Sequence, residues 1–145
     1  MLGFQVAVEI GRELPDVFAY ASDAERFREW EPNFLEVAHD SGPKRGRGAR
    51  YRFVRKVPFG RQDGVMEMVD VVEDERIEIV AAAGPIRPHY TLTFLRTSSG
   101  TRVTDDFTAE VAMPLKLLVP LLRRQFQRDS LKSLQRLKDL LEQRP

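Results

Sequence analysis

The chain has 145 residues with 42 % hydrophobic and 31 % charged residues, no cysteine, and a formal net charge of +1. This length is enough to bury a hydrophobic core, so we expect a single domain over residues 1–145. The absence of cysteine excludes disulfides, thiolate metal sites and cysteine nucleophiles. A charge this close to zero gives no overall attraction to nucleic acid or to anionic membranes.

The chain begins almost at once with a strand, because apolar and polar residues alternate from Phe4 to Ile10. This leaves no room for a signal peptide. No apolar run reaches the roughly 18 residues that a membrane-spanning helix needs. A cytoplasmic protein is therefore the simplest interpretation.

Two short helices are predicted after this strand. Pro15 suits the first turn of the first helix. The sequence Ser22 to Glu25 is typical of a capping box, with Ser22 as N-cap of the second helix, which ends before Pro32. Trp30 lies near the end of this second helix, and we expect it to plug one end of the sheet or to narrow a cavity entrance.

Six further strands follow, separated by turn-forming residues. Their predicted ranges are 34–40, 49–57, 62–73, 76–83, 88–97 and 101–112. Connections this short predict an antiparallel meander, since neighbouring antiparallel strands can be joined by tight turns.

The last predicted element is a long helix from Pro120 to Glu142, roughly 35 Å in length. Its apolar stripe, centred on Phe126, is interrupted at mid-length by Ser130 and Ser133. A helix that only sealed a core would carry larger apolar residues there. The two serines therefore indicate a space beneath the sheet that protein does not fill.

Alternation assigns the inward faces of most strands. The inward residues that we expect to line the interior are Tyr51, Phe53, Arg55, Tyr90, Phe94, Asp105 and Phe107. Strand 62–73 is ambiguous, because either Met66, Met68, Asp70 and Val72 or the alternate set Val65, Glu67, Val69 and Val71 can point inward. We favour the first set, since methionine often fills surfaces that meet variable ligands, although Met66 and Met68 could equally be plain core.

Asp105 and Arg55 are the polar exceptions among these inward residues. An unpaired charge in an apolar interior is costly, so each needs a partner. They could orient the polar end of an apolar ligand, pair with each other or a neighbour, or reach water at a strand end. A desolvated Asp105 would have a raised pKa and could act as a general acid, which makes it the one catalytic candidate.

Other chemistries have little support. His39 and His89 are the only histidines, we expect both at the surface, and their spacing matches no zinc site. Nucleotide, nicotinamide and serine-hydrolase motifs are absent. We therefore predict neither a metal nor a cofactor.

Two stretches, one basic and one mainly apolar, have alternative interpretations. Residues 44–61 carry eight basic residues and no acid, and we interpret them as a solvated face rather than as a surface for the phosphates of RNA or of a membrane. The run from Leu115 to Leu122, followed by Arg123 and Arg124, is expected to pack on the protein's own sheet. Transient contact with a membrane surface is the alternative.

Four features of the chain match those of a known protein family. They are the order of the elements, the segment from Leu14 to Tyr20 leading to Trp30-Glu31-Pro32, the turn 100–104, and the closing leucine- and arginine-rich helix. Together they resemble the START-like (SRPBCC) superfamily, and more narrowly the bacterial polyketide cyclase/dehydrase group. The resemblance implies an α+β helix-grip fold, in which a curved seven-stranded sheet wraps the C-terminal helix around a deep hydrophobic cavity.

The resemblance also implies a ligand class, since such proteins bind lipids, polyketides or other apolar molecules. We therefore expect an internal cavity for a lipid, quinone or polyketide-like molecule; the alternatives are an aromatase/cyclase-type enzyme using Asp105 and an interaction protein whose cavity is filled. The sequence defines no oligomeric state. The expected ligand-binding residues are Trp30, Tyr51, Phe53, Arg55, Met66, Met68, Tyr90, Phe94, Asp105, Phe107, Phe126, Ser130 and Ser133.

Overall fold

A computed structural model describes residues 2–57 and 59–144 of the chain. It contains seven strands: β1 (Leu2–Ile10), β2 (Phe34–Ser41), β3 (Arg50–Val57), β4 (Gly60–Val72), β5 (Arg76–Ala82), β6 (Ile86–Thr97) and β7 (Gly100–Val111). The α-helices are α1 (Leu14–Ala21), α2 (Phe27–Trp30) and α3 (Val119–Glu142). Short 3₁₀ turns at Ala24–Arg26 and Leu115–Leu118 precede α2 and α3.

The seven strands form one antiparallel sheet in the order β1-β7-β6-β5-β4-β3-β2. Consecutive strands are neighbours throughout, except that β1 pairs with β7. Helix α3 packs chiefly on β1, and α2 lies between α3 and β2. The curved seven-stranded sheet with a long C-terminal helix confirms the predicted helix-grip architecture, including the two short helices after β1.

Side-chain alternation places the core between the sheet and α3. In β7, the inward residues Val103, Asp105, Phe107 and Ala109 are all buried, as the period of two predicts. Met66 and Met68 of β4 are also buried, which confirms the favoured orientation for that part of the strand.

A bulge changes the predicted inward face at the end of β4. The register of β4 against β5 shifts between Met68 and Asp70, so Val71 instead packs against the core. Asp70 forms an ion pair with Arg76, and the predicted inward orientation of Asp70 is wrong. A bulge adds one residue to one strand and thereby reverses the face of every residue beyond it. A second shift, after Phe34 in β2, brings Phe34 against the Phe53 ring, with ring centroids 5.1 Å apart.

The predicted capping box is displaced by one residue. Ser22 is the C-cap of α1, while the Asp23 side chain accepts a hydrogen bond of 3.2 Å from the Glu25 backbone N–H. The capping box assigned to Ser22 is therefore wrong, and Asp23 opens the turn instead. Arg45 contacts the same carboxylate at 2.8 Å, which explains why an aspartate is tolerated in this buried position.

The run from Leu115 to Leu122 packs on the protein only in part, since Val119 and Leu122 are partly buried against the core. Leu117, Leu118 and Leu121 are 73 %, 45 % and 65 % exposed. The preceding Met113 is 61 % exposed. The expected packing of this run is therefore confirmed for Val119 and Leu122 but wrong for Leu117, Leu118 and Leu121, which leave an apolar surface around the start of α3.

Candidate functional site

Two small cavities lie side by side between the sheet, α2 and the middle of α3. Their volumes are about 50 Å³ and about 20 Å³. Both are lined by Glu31, Phe34, Tyr90, Ser130 and Ser133. These shared walls make them two parts of one site, beneath the point where serines interrupt the apolar stripe of α3.

The larger cavity lies on the side of the molecule where β3 ends and β6 begins. Its other lining residues are Asn33, Arg55, Pro88, Phe107, Phe126 and Asp129. The smaller cavity extends deeper into the core, and its other lining residues are Phe27, Trp30, Met66, Ile79, Leu92, Asp105 and Leu134. The site therefore has a polar outer part and a mainly apolar inner part, with carboxylates in both.

Most residues predicted from the sequence to bind a ligand line these cavities. They are Trp30, Arg55, Met66, Tyr90, Asp105, Phe107, Phe126, Ser130 and Ser133. The other four predicted residues, Tyr51, Phe53, Met68 and Phe94, line neither cavity. The Tyr51 hydroxyl donates to the Lys44 carbonyl at 2.7 Å, and the Phe94 ring packs edge-on against Phe18 with centroids 5.1 Å apart.

Sequence reasoning missed Glu31, which lines both cavities. It follows the buried Trp30 directly and lies in the turn from α2 into β2, as the C-cap of α2. Asp129 is the second missed acid; its carboxylate accepts hydrogen bonds from Gln125 at 3.0 Å and Asn33 at 3.5 Å.

Several polar atoms of the site have no partner within the protein. Among the described residues, five buried side-chain polar atoms lack a hydrogen-bond partner, and three belong to the cavity-lining residues Trp30, Arg55 and Asp105. They are the Trp30 Nε1 donor, the Arg55 Nε donor and the Asp105 Oδ1 acceptor. Buried polar groups are normally paired, so three unpaired atoms around one cavity indicate that their partner comes from outside the chain.

Arg55 and Asp105 do not form an ion pair with each other. Within residues 2–57 and 59–144, no carboxylate oxygen lies within 4.0 Å of the Arg55 guanidinium. Asp105 is only 5 % exposed and lines the inner cavity. Both residues therefore remain available to a molecule in the cavity.

Burial dominates the electrostatics of Asp105. It raises the pKa of this carboxyl to about 7, and the negative charge of Asp106 adds to the increase. The Ser130 hydroxyl opposes this by favouring the charged form and lowers the pKa by a smaller amount. Near neutral pH, Asp105 can therefore both donate and accept a proton.

Glu31 is shifted in the same direction. Burial raises the pKa of its carboxyl to about 8, with a further increase from Asp105 that Arg55 partly offsets. Burial also raises the pKa of the Tyr90 hydroxyl, which therefore remains a neutral donor. Three carboxylates, those of Glu31, Asp105 and Asp129, thus share one site with a single arginine, and the first two hold protons that exposed acids would lose.

The site is much smaller than the deep hydrophobic cavity that the family resemblance implies. Ligand pockets commonly have volumes of roughly 300–1,000 Å³, and aromatic rings occupy much of this space instead. Phe107 stacks on Phe4 with centroids 4.8 Å apart and contacts Phe126 edge-on at 5.8 Å. The volume left open accommodates about one or two water molecules, so a larger ligand requires side chains to move.

Comparison with protein-family models gives a match over residues 1–142 to the family described as polyketide cyclase / dehydrase and lipid transport. The chain belongs to this family. A comparison with curated protein sequences finds no match.

Solved structures similar to this family member share its fold at low sequence identity. TTHA0849 from Thermus thermophilus is 20 % identical, with a TM-score of 0.81, and the match covers 94 % of each chain. A START superfamily protein from Mycobacterium smegmatis is 13 % identical, with a TM-score of 0.74, covering 97 % of this chain and 99 % of that one. These likenesses confirm the predicted START-like fold.

A third similar structure is the di-domain ARO/CYC protein StfQ from the steffimycin biosynthetic pathway. It is 15 % identical, with a TM-score of 0.76, and the match covers 95 % of this chain but 49 % of StfQ. This family member thus corresponds in fold to about half of StfQ.

Two further observations concern membrane-spanning helices and metal-binding groups. No helix in the described part of the chain is long and apolar enough to cross a membrane. Among residues 2–57 and 59–144, no group of three or more His, Cys, Asp or Glu side chains is arranged to hold a metal ion.

Proposed function

We propose that the protein binds an apolar small molecule, of lipid, quinone or polyketide type, between the sheet and α3. The observation that carries this proposal is the set of unpaired buried polar atoms on Trp30, Arg55 and Asp105 at the cavity walls. The membership of a family described by cyclase, dehydrase and lipid-transport activities supports it.

The ligand's polar end would lie among these groups. Trp30 Nε1 and Arg55 Nε are donors that a carbonyl oxygen can satisfy, while Asp105 Oδ1 is an acceptor that a hydroxyl group can satisfy. Leaving such groups unpaired costs about 1–3 kcal/mol each. Pairing them in the bound state recovers that free energy, which favours a ligand with a compact oxygen-bearing end.

The apolar part of the ligand would replace aromatic side chains that now occupy the centre. Phe126 is the best candidate to move, because it is only partly buried and lies in the half of α3 that is least covered. Its displacement would join the cavity to the exposed apolar surface near Leu122. Entry of the ligand therefore requires opening of this half of the helix, not unfolding of the sheet.

The first test is native mass spectrometry of the freshly purified protein beside its denatured mass. We expect an additional mass that denaturation removes. In a second measurement, fluorescence of anilinonaphthalene sulfonate reports cavity binding of an apolar probe. Ser133→Leu and Ser130→Leu fill the site and should each weaken probe binding at least about fivefold, since over-packing a cavity costs roughly 1–3 kcal/mol.

The matched control is Lys132→Leu, which introduces leucine on the exposed face of the same helix. Thermal unfolding shows whether each variant is folded. Folded Ser133→Leu and Ser130→Leu proteins that bind the probe as tightly as Lys132→Leu would exclude this site as the binding site.

A specific observation also favours a second function, an aromatase/cyclase-type reaction. The site holds two acids, Asp105 and Glu31, whose pKa values of about 7 and about 8 suit proton transfer at neutral pH. One carboxylate would take a proton from a carbon between two carbonyls, and the other acid would protonate the carbonyl oxygen under attack. A carbon–carbon bond forms and the carbonyl becomes a hydroxyl, with no oxidant required.

Asp105→Asn and Glu31→Gln distinguish the two functions. In a cyclising enzyme, each would abolish conversion of a poly-β-ketone substrate while probe binding is retained. A binding protein would show no conversion with any variant, the unmodified protein included.

A further inference from the structure

Exposed large apolar side chains concentrate at one end of the molecule. Leu117 and Leu121 lie around the start of α3, and Met113 precedes them. Phe59, in the turn between β3 and β4, is fully exposed at 108 % of its reference area. An isolated exposed leucine is ordinary, but several together with an exposed phenylalanine indicate a contact surface.

The sheet register places these residues at the same end. Val111, at the end of β7, pairs with Ile86 at the start of β6. The adjoining turn approaches β4, because a Cβ atom on Gly84 would lie 2.1 Å from the Gln62 side chain. Gln62 follows the turn that carries Phe59. The β3–β4 turn, the β5–β6 turn and the β7–α3 connection therefore share one end, which we call the apolar-basic end and define as residues 56–62, 83–88 and 111–124.

Charge is segregated to the same end. These three segments contain six basic residues and no acidic residue, and all six are exposed: Lys56, Arg61, Arg87, Lys116, Arg123 and Arg124. The whole chain has 23 basic and 22 acidic residues, so the remainder has 17 basic and 22 acidic residues, a formal charge of −5 against +6 at this end. The nearest acids in sequence, Asp63 and Glu110, lie just beyond these segments.

We propose that the apolar-basic end docks on an anionic phospholipid surface. Phe59, Met113, Leu117 and Leu121 would enter the boundary between headgroups and acyl chains, while the surrounding lysine and arginine side chains contact the headgroups. Amphipathic surfaces of this kind bind through buried apolar area together with attraction to anionic lipid. Nucleic acid would use the basic residues but would leave the aliphatic side chains in water.

Docking at this end would also present the cavity to the lipid. Arg55 and Phe34, which line the outer cavity, are paired where β3 ends and β2 begins, and Phe126 lies between one and two turns of α3 after Leu121. The docking proposal stands apart from the identity of any ligand, because it depends on the outer surface alone. The protein can bind the probe in the cavity without binding vesicles, and it can bind vesicles without binding the probe.

The test is co-flotation of the purified protein with vesicles of phosphatidylcholine alone and of phosphatidylcholine mixed with phosphatidylglycerol. We expect binding to the anionic vesicles that weakens with added salt, and little binding to phosphatidylcholine. Leu117→Ser combined with Leu121→Ser should weaken binding at least about tenfold, from the lost apolar area. Lys116→Gln combined with Arg124→Gln should weaken it about fivefold per charge removed, since each contributes about 1 kcal/mol.

Each double variant has a matched control. Leu95→Ser with Leu131→Ser also replaces two exposed leucines, but Leu95 lies near the opposite end of β6 and Leu131 lies beyond the exposed start of α3. Arg96→Gln with Lys132→Gln removes two exposed charges elsewhere. These controls should bind anionic vesicles as the unmodified protein does.

Three results would overturn the proposal. One is a failure of the unmodified protein to float with anionic vesicles at low salt. Another is an equal loss of binding in the control variants. The third is a stable dimer in solution that Leu117→Ser with Leu121→Ser dissolves, because the apolar surface would then be covered by a second copy of the chain.

Discussion

The two halves of α3 share one apolar stripe but have different surroundings. In the C-terminal half, Ser133, Leu134, Leu137 and Leu141 are buried, whereas no residue of Val119–Lys132 is. The half that follows Ser133 closes the core. The half that precedes it faces the cavity on one side and exposes leucines on the other.

Polar contacts reinforce this difference. Arg12 donates to the carbonyls of Leu141 at 2.7 Å and Arg144 at 3.0 Å, and Lys138 donates to the Glu9 carbonyl at 2.9 Å. These bonds fasten the C-terminal half to the end of β1 and the loop after it. The N-terminal half has an equivalent tie from Arg123 to the Gly3 carbonyl at 2.9 Å, but its apolar face, which includes Leu122 and Phe126, is only partly buried.

The comparison shows how one helix can supply both stability and an opening. Regions with few buried apolar contacts open at lower free energy than the core, and binding sites draw on such regions. We infer that the C-terminal half holds the fold while the N-terminal half can shift to admit a ligand. Substitutions in the two halves should therefore separate stability from binding.

The largest expected difference comes from the same substitution in each half. Leu137 is 0 % exposed and Leu121 is 65 % exposed. Leu137→Ala should lower the free energy of unfolding by about 3 kcal/mol, from lost burial and the cavity it leaves. Leu121→Ala should change it by less than about 0.5 kcal/mol. Urea unfolding of both variants measures this, and equal losses would show that both halves contribute alike to the core.

The fold follows from local patterns that the sequence displays openly. Period-two alternation and turn residues define the strands, and the leucine spacing with Pro120 defines α3 to within one residue of its observed start at Val119. Bulges are harder, because the extra residue after Met68 or Phe34 is set by pairing with the next strand. That pairing is not visible in either strand alone.

The site is predicted less completely than the fold, for a related reason. Asp105 and Arg55 stand out because they interrupt inward apolar faces. Glu31 belongs to a short turn without periodicity, so only its distance from Asp105 and Arg55 in space makes it part of the cluster. The exposure of Leu121, by contrast, is visible in the sequence, because at about 100° per residue it lies about 140° from Phe126 and so outside the apolar stripe of α3.

A smaller effect is expected from the carboxyl group beneath the junction of the two halves. Asp105 has a folded-state pKa raised to about 7 from an ordinary value of 3.8. The stability that its protonated form contributes is therefore fully present below about pH 4 and is lost as the pH rises to about 7. Asp105→Asn keeps the group neutral, and should raise the free energy of unfolding at pH values above the folded pKa, with little change in acid.

Unfolding curves at several pH values measure this effect. Asp106→Asn is the matched control, because Asp106 is the next residue of β7 and lies on the exposed face, where it accepts a hydrogen bond from Gln5 at 2.7 Å. It should shift the pH profile only slightly. Asp105→Asn with an unchanged pH profile would show that the carboxyl is already ionised and paired in the folded protein.

The smallest expected cost is at Phe126, the aromatic wall of the cavity in the N-terminal half. Phe126→Ala should lower the free energy of unfolding by only about 1 kcal/mol, well below the several kcal/mol of a fully buried phenylalanine, because the ring is partly exposed. It should also enlarge the cavity and strengthen binding of anilinonaphthalene sulfonate. Phe94→Ala is the comparison, since Phe94 is buried against Phe18 and lines neither cavity. The opposite outcome is that Phe126→Ala lowers the free energy of unfolding as much as Phe94→Ala and leaves probe binding unchanged. That result would show that the N-terminal half contributes to the core as the C-terminal half does, and that a ligand enters the cavity by another route.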